Sequence, residues 1–159
     1  NLGELAQSAA ERAAWRRNSI ADLQHAVSMA PNGGGVRALY AVSFVEELDM
    51  RRFLAEGERA LALAPTSDVV LNAVSQSLRF LDPDRSLLLS DKAVSLDPLN
   101  PFFMSVQSSI LLAARRLEEA ADAARRTIAL SREERGGFSL FEALMAMNQV
   151  DAARSPFDK

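Results

Sequence analysis

The chain has 159 residues, of which 48% are hydrophobic and 25% are charged, and its formal net charge is −3. This composition is typical of a globular protein of one domain, and a chain of this length can bury a sizeable core. Its 18 basic and 21 acidic residues produce no strong field, so nucleic acid and anionic membranes are not expected partners.

The sequence also lacks the features of secreted and membrane proteins. It contains no cysteine, which excludes disulfides and thiolate metal sites. No apolar run reaches the roughly 18 to 20 residues of a membrane-spanning helix, and no secretory signal pattern begins the chain. We therefore expect a cytoplasmic protein that does not bind membranes.

Helical periodicity and capping residues predict helices along the whole chain. Small apolar residues at helical spacing predict the first helix over residues 2–14, and Ser19 followed by Asp22 is a start signal for the second over 20–29. The predicted helices span residues 2–14, 20–29, 36–47, 50–63, 68–81, a segment after residue 84 that ends at 96, 101–114, 117–130 and 133–148.

The turns between these helices carry their own signals. Pro31 ends the second helix, and Gly33–Gly35 predicts a flexible turn, because it lacks the lysine and hydroxyl residue of a phosphate-binding loop. Asn100 can accept a hydrogen bond from a free backbone N–H group, and Pro101 has no donor to leave unpaired at the first helical position. A helix start at Pro101 is therefore expected.

A seven-residue phrase recurs at the end of every second helix. It reads HAVSMAP ending at Pro31, RALALAP at Pro65, KAVSLDP at Pro98 and, in degenerate form, RTIALSR at Arg132, with spacings of 34, 33 and 34 residues. A fixed period of this length indicates an array of repeated helix pairs. The chain begins with asparagine and ends inside a fifth repeat, so we expect it to be a fragment of a longer protein. The predicted repeats cover about residues 1–31, 32–65, 66–98 and 99–132, with a partial repeat over 133–159.

This pattern resembles the tetratricopeptide repeat family. The likeness rests on Ala26, Ala60 and Ala93, each followed five residues later by proline, and on the segment from Pro98 to Arg132, which reads as one complete repeat. The resemblance implies an all-α solenoid, in which antiparallel helix pairs form a right-handed superhelix. It also implies a module that binds proteins and has no catalytic activity.

Two narrower likenesses bear on the partner. The phrases RALALAP and KAVSLDPLNP are similar to repeat regions attached to bacterial transcription regulators and nucleotide cyclases, which implies a regulatory or scaffolding role. Family members that grip the carboxylate end of chaperone tails carry a lysine and an asparagine on the first groove helix. The matching positions here hold Glu4 with Ser8 and Ala38 with Val42, so that class of partner is not expected.

The resemblance places the first helix of each pair along a concave groove and so identifies candidate binding residues. Asn72, Gln76 and Arg79 lie at i, i+4 and i+7 of one helix and share a face, although such a row also occurs on a solvated helix without a partner. Their amide and guanidinium groups can bind a peptide backbone or a carboxylate. The predicted partner-binding residues are Val42, Glu46, Asn72, Gln76, Arg79, Phe80, Phe102, Ser105 and Ser109.

The last predicted helix carries a second candidate surface. Phe138, Phe141 and Met145 make it apolar, whereas a helical array normally ends in a helix with a polar outer face. We therefore expect that the natural chain continues, or that this surface is covered by a partner protein or by a second copy in a homodimer.

No catalytic or metal site is predicted, and no cofactor is expected. His25 has neither a second histidine nor a cysteine with which to complete a metal site, and neighbouring carboxylates such as Glu118 and Glu119 point about 100° apart on a helix. Two alternatives to a peptide-binding module remain. One is a small-molecule sensing domain with a closed apolar pocket near Phe80, Phe102 and Phe103, and the other is a homodimerisation module.

Overall fold

The computed structural model describes residues 2–131, 134–149 and 152–153, which form α-helices and no strand. The predicted all-α architecture is confirmed. Residue 133, the predicted start of the last helix, lies outside the described residues. The long helices are α1 (Leu2–Met29), α2 (Gly34–Glu46), α3 (Met50–Leu63), α4 (Asp68–Leu78), α5 (Pro83–Leu96), α6 (Pro101–Ala113), α7 (Leu117–Leu130) and α8 (Glu134–Ala146).

The chain divides into two compact units, residues 1–65 and residues 66–159. In the first unit, α1 packs against α2, and α2 packs against α3. In the second unit, α4 pairs with α5 and α6 pairs with α7, while α8 packs against α7. The first helices of successive pairs also touch, because α4 contacts α6 and α6 contacts α8. Short turns make the two helices of each pair antiparallel.

Side-chain caps fix most of the helix starts. The side chain of Asn100 accepts a hydrogen bond from the Phe102 N–H group at 3.1 Å, and α6 begins at Pro101, as the sequence predicts. Asp82 caps α5 in the same way through the N–H group of Arg85, also at 3.1 Å. Such caps satisfy backbone donors that a helix leaves free at its N-terminus.

The first helix departs most from the prediction. Separate helices are predicted over residues 2–14 and 20–29, whereas α1 runs without a break from Leu2 to Met29. Residues 4–30 contain neither glycine nor proline, so no residue in the predicted turn interrupts the helix. The capping signal at Ser19 and Asp22 is therefore wrong, because a residue that can cap a helix can also lie within one.

The glycines after Pro31 have a different role from the predicted flexible turn. Helix α2 already begins at Gly34, and Gly34 is buried. A Cβ atom at Gly34 would lie only 2.6 Å from the Cβ atom of Ala64, at the end of α3. Glycine therefore allows α2 and α3 to approach closely, and the prediction of a flexible turn is wrong for Gly34 and Gly35.

The core of the second unit is built around α7, whose inner face is made of alanine. Ala120, Ala121, Ala123 and Ala124 are all fully buried, so α6 and α8 can pack closely on either side. Gly136 continues this pattern in α8, since a Cβ atom there would meet the Ile128 side chain at 2.7 Å. Small side chains thus set the spacing of the helices.

Part of the apolar surface of α8 is covered by the chain itself. Leu140, Ala143 and Leu144 are buried in the same cluster as Ala153, which follows α8. Phe138 and Met145 remain exposed, at 57% and 43%. The uncovered surface on α8 is therefore smaller than the sequence alone indicates.

Candidate protein-binding surfaces

The first helices of the pairs in the second unit are in register. Helices α4, α6 and α8 begin at Asp68, Pro101 and Glu134, at intervals of 33 residues, and they pack side by side. Residues separated by this interval therefore occupy matching places on neighbouring helices. We call the surface that they form the α4–α6–α8 face, and it contains Asn72, Gln76, Arg79, Phe80, Phe102, Ser105, Ser109, Phe138 and Met145.

On α4, the predicted binding row is divided between interior and surface. Asn72 is only 4% exposed, and its Oδ1 atom is buried without a hydrogen-bond partner among the described residues. Gln76 is exposed. The guanidinium group of Arg79 lies over the ring of Phe80, 4.7 Å from its centroid, and Phe80 is 75% exposed. Gln76, Arg79 and Phe80 are thus accessible to a partner, whereas Asn72 is not.

On α6, the predicted residues offer a partner fewer hydrogen-bond donors than two serines would suggest. Phe102 is exposed, whereas Ser105 and Ser109 are half-buried. The hydroxyl of Ser109 donates to the Ser105 carbonyl at 3.2 Å, so its proton is used within the helix. Its oxygen can still accept a hydrogen bond.

On α8, two residues predicted for self-association occupy groove positions. Phe138 matches Asn72 and Ser105 in the 33-residue register, and Met145 matches Arg79. Phe141 is half-buried. The sequence interpretation treats these residues as a separate surface, whereas the register extends the predicted groove residues onto α8. On α8 the face therefore carries two exposed apolar side chains, Phe138 and Met145, beside the half-buried Glu142, which matches Gln76.

In the first unit, the predicted residues Val42 and Glu46 lie in a cleft between α1 and α2. Two adjoining hollows, of about 870 and 790 Å³, share Trp15 and Ser19 from α1 and Ser43 and Glu46 from α2. We call them together the α1–α2 cleft. Trp15, at its edge, is 79% exposed.

A third cleft, in the second unit, was not predicted as a site. It has a volume of about 630 Å³ and lies among α5, α6 and α7. Buried Gln107 donates to Asp91 at 2.7 Å, and Arg125 bonds Asp122 at 2.6 Å. Only the second of these contacts is an ion pair. The i, i+3 spacing of opposite charges on α7 is the signal from which it could be found.

One further ion pair in this cleft shifts two pKa values. Hydrogen bonds join Arg116 to Glu119, with Nε and Oε1 at 2.6 Å. The bond lowers the pKa of Glu119 and raises that of Arg116, because it stabilises the charged form of each group. Opposite charges are matched throughout the cleft, so it offers no excess charge to a ligand.

Two of the sequence interpretations concern small ligands. Phe80 and Phe102 are exposed while Phe103 is buried, so these three rings do not enclose the closed apolar pocket that a small-molecule sensor requires. His25 is exposed. Across residues 2–131, 134–149 and 152–153, no three potential metal-ligating side chains come together. In the same residues, no helix has both the length and the apolar character to cross a bilayer.

Comparison with known proteins shows the fold. No family model and no curated protein matches the chain. Among solved structures, MamA AMB-1 superposes with a TM-score of 0.72 and 18% identity, over 92% of this chain and 88% of that one. PilF of Pseudomonas aeruginosa superposes with a TM-score of 0.73 and 20% identity, over 99% of this chain and 70% of that one. Both are tetratricopeptide repeat proteins. The chain has a tetratricopeptide-like fold.

The tetratricopeptide-like repeats of this chain turn between their two helices at matching places. Three of these turns contain a residue with positive φ, namely Leu48 at 58°, Arg115 at 62° and Asn148 at 61°. One repeat before Leu48, the matching place is Ala14 or Trp15, which lies inside α1. At this place, where the sequence predicts a turn, the structure has one continuous helix.

Proposed function

We propose that the chain is a protein-interaction module that binds a peptide or a partner protein on the α4–α6–α8 face. The observation that carries the proposal is the exposure of Phe80 directly after α4, of Phe102 on α6, and of Phe138 and Met145 on α8, because α6 packs against both α4 and α8. Exposed aromatic and methionine side chains that lie together are characteristic of interfaces, where they supply most of the binding energy.

The polar residues of this face define what a partner must offer. Gln76 can exchange hydrogen bonds with a peptide backbone through both its amide oxygen and its amide nitrogen. Arg79 can bind a carboxylate through the edge of its guanidinium group while the face of that group stays over the ring of Phe80. A peptide with two or more apolar side chains and a hydrogen-bonding backbone fits these groups best. A regulatory or scaffolding role rests on the sequence resemblance and belongs to the same proposal, which includes no catalytic step.

A peptide selection tests the proposal. Peptides that bind the full chain are selected from a random library, and their affinity is measured by calorimetry for the parent and two double variants. The double variant F80A/F138A removes two exposed rings of the face, and we expect it to weaken binding at least tenfold. The control L88A/L130A removes exposed leucines of α5 and α7 and should bind as the parent does. Equal affinities for the two double variants would contradict the proposal.

A further inference from the structure

Half of α1 extends beyond the rest of its unit. Helix α1 has 28 residues and is about 42 Å long, whereas α2 has 13 residues and is about 20 Å long. Among the described helices, α1 packs only against α2. Because α2 is less than half as long, it can accompany no more than about half of α1. The sequence of the segment 2–14 carries apolar residues at helical spacing.

The α1–α2 cleft lies where a first helix would pack in the other repeats. In the second unit, α4 contacts α5, the second helix of its own pair, and α6, the first helix of the next pair. For the first repeat, the matching partners are residues 20–29 of α1 and helix α2. One hollow of the α1–α2 cleft lies between these two elements, with Leu23 and Asp22 on one side and Leu39 and Val42 on the other. The other hollow continues along the first half of α1, where Glu11 and Arg12 line it.

We infer that residues 2–14 of a second copy of this chain fill the α1–α2 cleft. The second copy receives residues 2–14 of the first in return, so the dimer is a reciprocal exchange of identical helices with two-fold symmetry. Such an exchange creates the same contacts that a folded-back helix would make within one chain, and only the hinge differs. The repeat interval of 33 or 34 residues aligns Ala9 or Ser8 of one copy with Val42 of the other.

The residues at the hinge of α1, Ala14 and Trp15, favour exchange over folding back. To fold back, the chain would turn at Ala14 or Trp15, and three of the matching turns, all except the one between α4 and α5, hold a residue with positive φ. That conformation is unfavourable for residues other than glycine and is an outlier for bulky ones such as tryptophan. The straight helix avoids it, since residues 4–30 are helix-compatible throughout. Exchange therefore fills the cleft without a left-handed residue.

In the first unit, the α1–α2 cleft would therefore be part of the dimer interface. Val42 and Glu46, which the sequence predicts as partner-binding residues, would contact the second copy. Exposed Trp15 would lie close to the two-fold axis, next to its counterpart. The proposed peptide site on the α4–α6–α8 face belongs to the other unit and does not depend on this exchange.

Molar mass in solution tests the hinge. We expect the full chain to have the mass of a dimer by light scattering, and the Trp15→Gly variant, whose glycine can adopt positive φ, to have the mass of a folded monomer. The control Gln24→Gly places the same residue at an exposed position of α1 that supplies no turn, and it should stay dimeric. A monomeric parent chain, or a dimeric Trp15→Gly variant, would overturn the inference. Loss of the dimer in the Phe138→Glu variant would also overturn the inference, because the dimer would then form through α8.

Thiol cross-linking distinguishes exchange from folding back, because the chain has no cysteine of its own. Matching positions on neighbouring helices lie about 8–10 Å apart, too far for a disulfide, so the double variant A9C/V42C is treated with a bis-maleimide of about that reach. In a swapped dimer the reagent links two chains covalently, and the linked pair has the mass of two chains on a denaturing gel. A helix that folds back would link the two cysteines within one chain, which would retain monomer mass and overturn the inference. Absence of either link would overturn it as well.

Discussion

Arg37 of α2 and Glu56 of α3 form an ion pair with a nitrogen-to-oxygen distance of 2.6 Å, and both side chains are only 14% exposed. Arg37 also donates to the Pro31 carbonyl at 3.1 Å, and Arg59 bonds the second oxygen of Glu56 at 2.6 Å. Glu56 thus connects α2, α3 and, through Arg37, the turn that follows α1. The first unit depends on this one carboxylate more than on any exposed pair.

Removal of this carboxylate should destabilise the first unit. We expect Glu56→Ala to lower the free energy of unfolding by about 2 kcal/mol, because it leaves the largely buried Arg37 guanidinium without its partner. Urea unfolding followed by the fluorescence of Trp15, the single tryptophan of the chain, measures this in the same unit. Glu119→Ala breaks the exposed pair with Arg116 and should leave that transition unchanged. Equal losses in the free energy of unfolding from the two substitutions would contradict the role given to the Glu56 carboxylate.

Two neighbouring glycines should respond in opposite directions to the same substitution. Gly34→Ala places a methyl group 2.6 Å from the Cβ atom of Ala64, and we expect a loss of about 1 to 3 kcal/mol from overpacking. Gly35→Ala meets no atom within 4 Å and should raise stability by up to about 1 kcal/mol, since alanine favours the helix. Chemical denaturation of the two variants measures both effects, and a gain at Gly34 would refute the close packing of α2 and α3.

The repeat architecture could be predicted because its signals are local. Proline after the second helix, asparagine before Pro101 and a phrase at a constant period all act within a few residues, so the helices from α3 to α7 were placed nearly correctly. The single helix α1 could not be predicted in this way. Its predicted break relied on the capping signal at Ser19 and Asp22, and a capping residue permits a helix start without requiring one.

The candidate site was predicted less well, for a geometric reason. Residues at i and i+4 differ by about 40° around a helix, so the boundary between interior and surface can pass between them. It does so on α4, where Asn72 is buried and Gln76 is exposed. Periodicity identifies a shared face but not the edge of the core. The role of Gly34 was also missed, because close approach to Ala64 depends on a residue thirty positions away.

The ion pair between Arg116 and Glu119 should make a small part of the stability dependent on pH. Because the pKa of Glu119 is lowered in the folded chain, its contribution is present above the unfolded pKa and is lost as the pH falls through the folded value. Glu119→Gln should therefore lower the melting temperature slightly at pH 7 and not at pH 2.5. Thermal unfolding at the two pH values measures the difference in melting temperature between the parent and the variant. A difference that grows as the pH falls would contradict the prediction.

Two adjacent serines on α6 should differ in their effect on stability. The buried hydroxyl of Ser108 donates to the Ala120 carbonyl of α7 at 2.8 Å, so it joins two helices, whereas Ser109 bonds only within α6. We expect Ser108→Ala to cost about 1 kcal/mol and Ser109→Ala less than about 0.5 kcal/mol. Urea unfolding followed by circular dichroism measures both. Because alanine favours a helix equally at the two positions, any difference between the variants reports the bond from α6 to α7, and equal costs would show that this bond contributes nothing to the second unit.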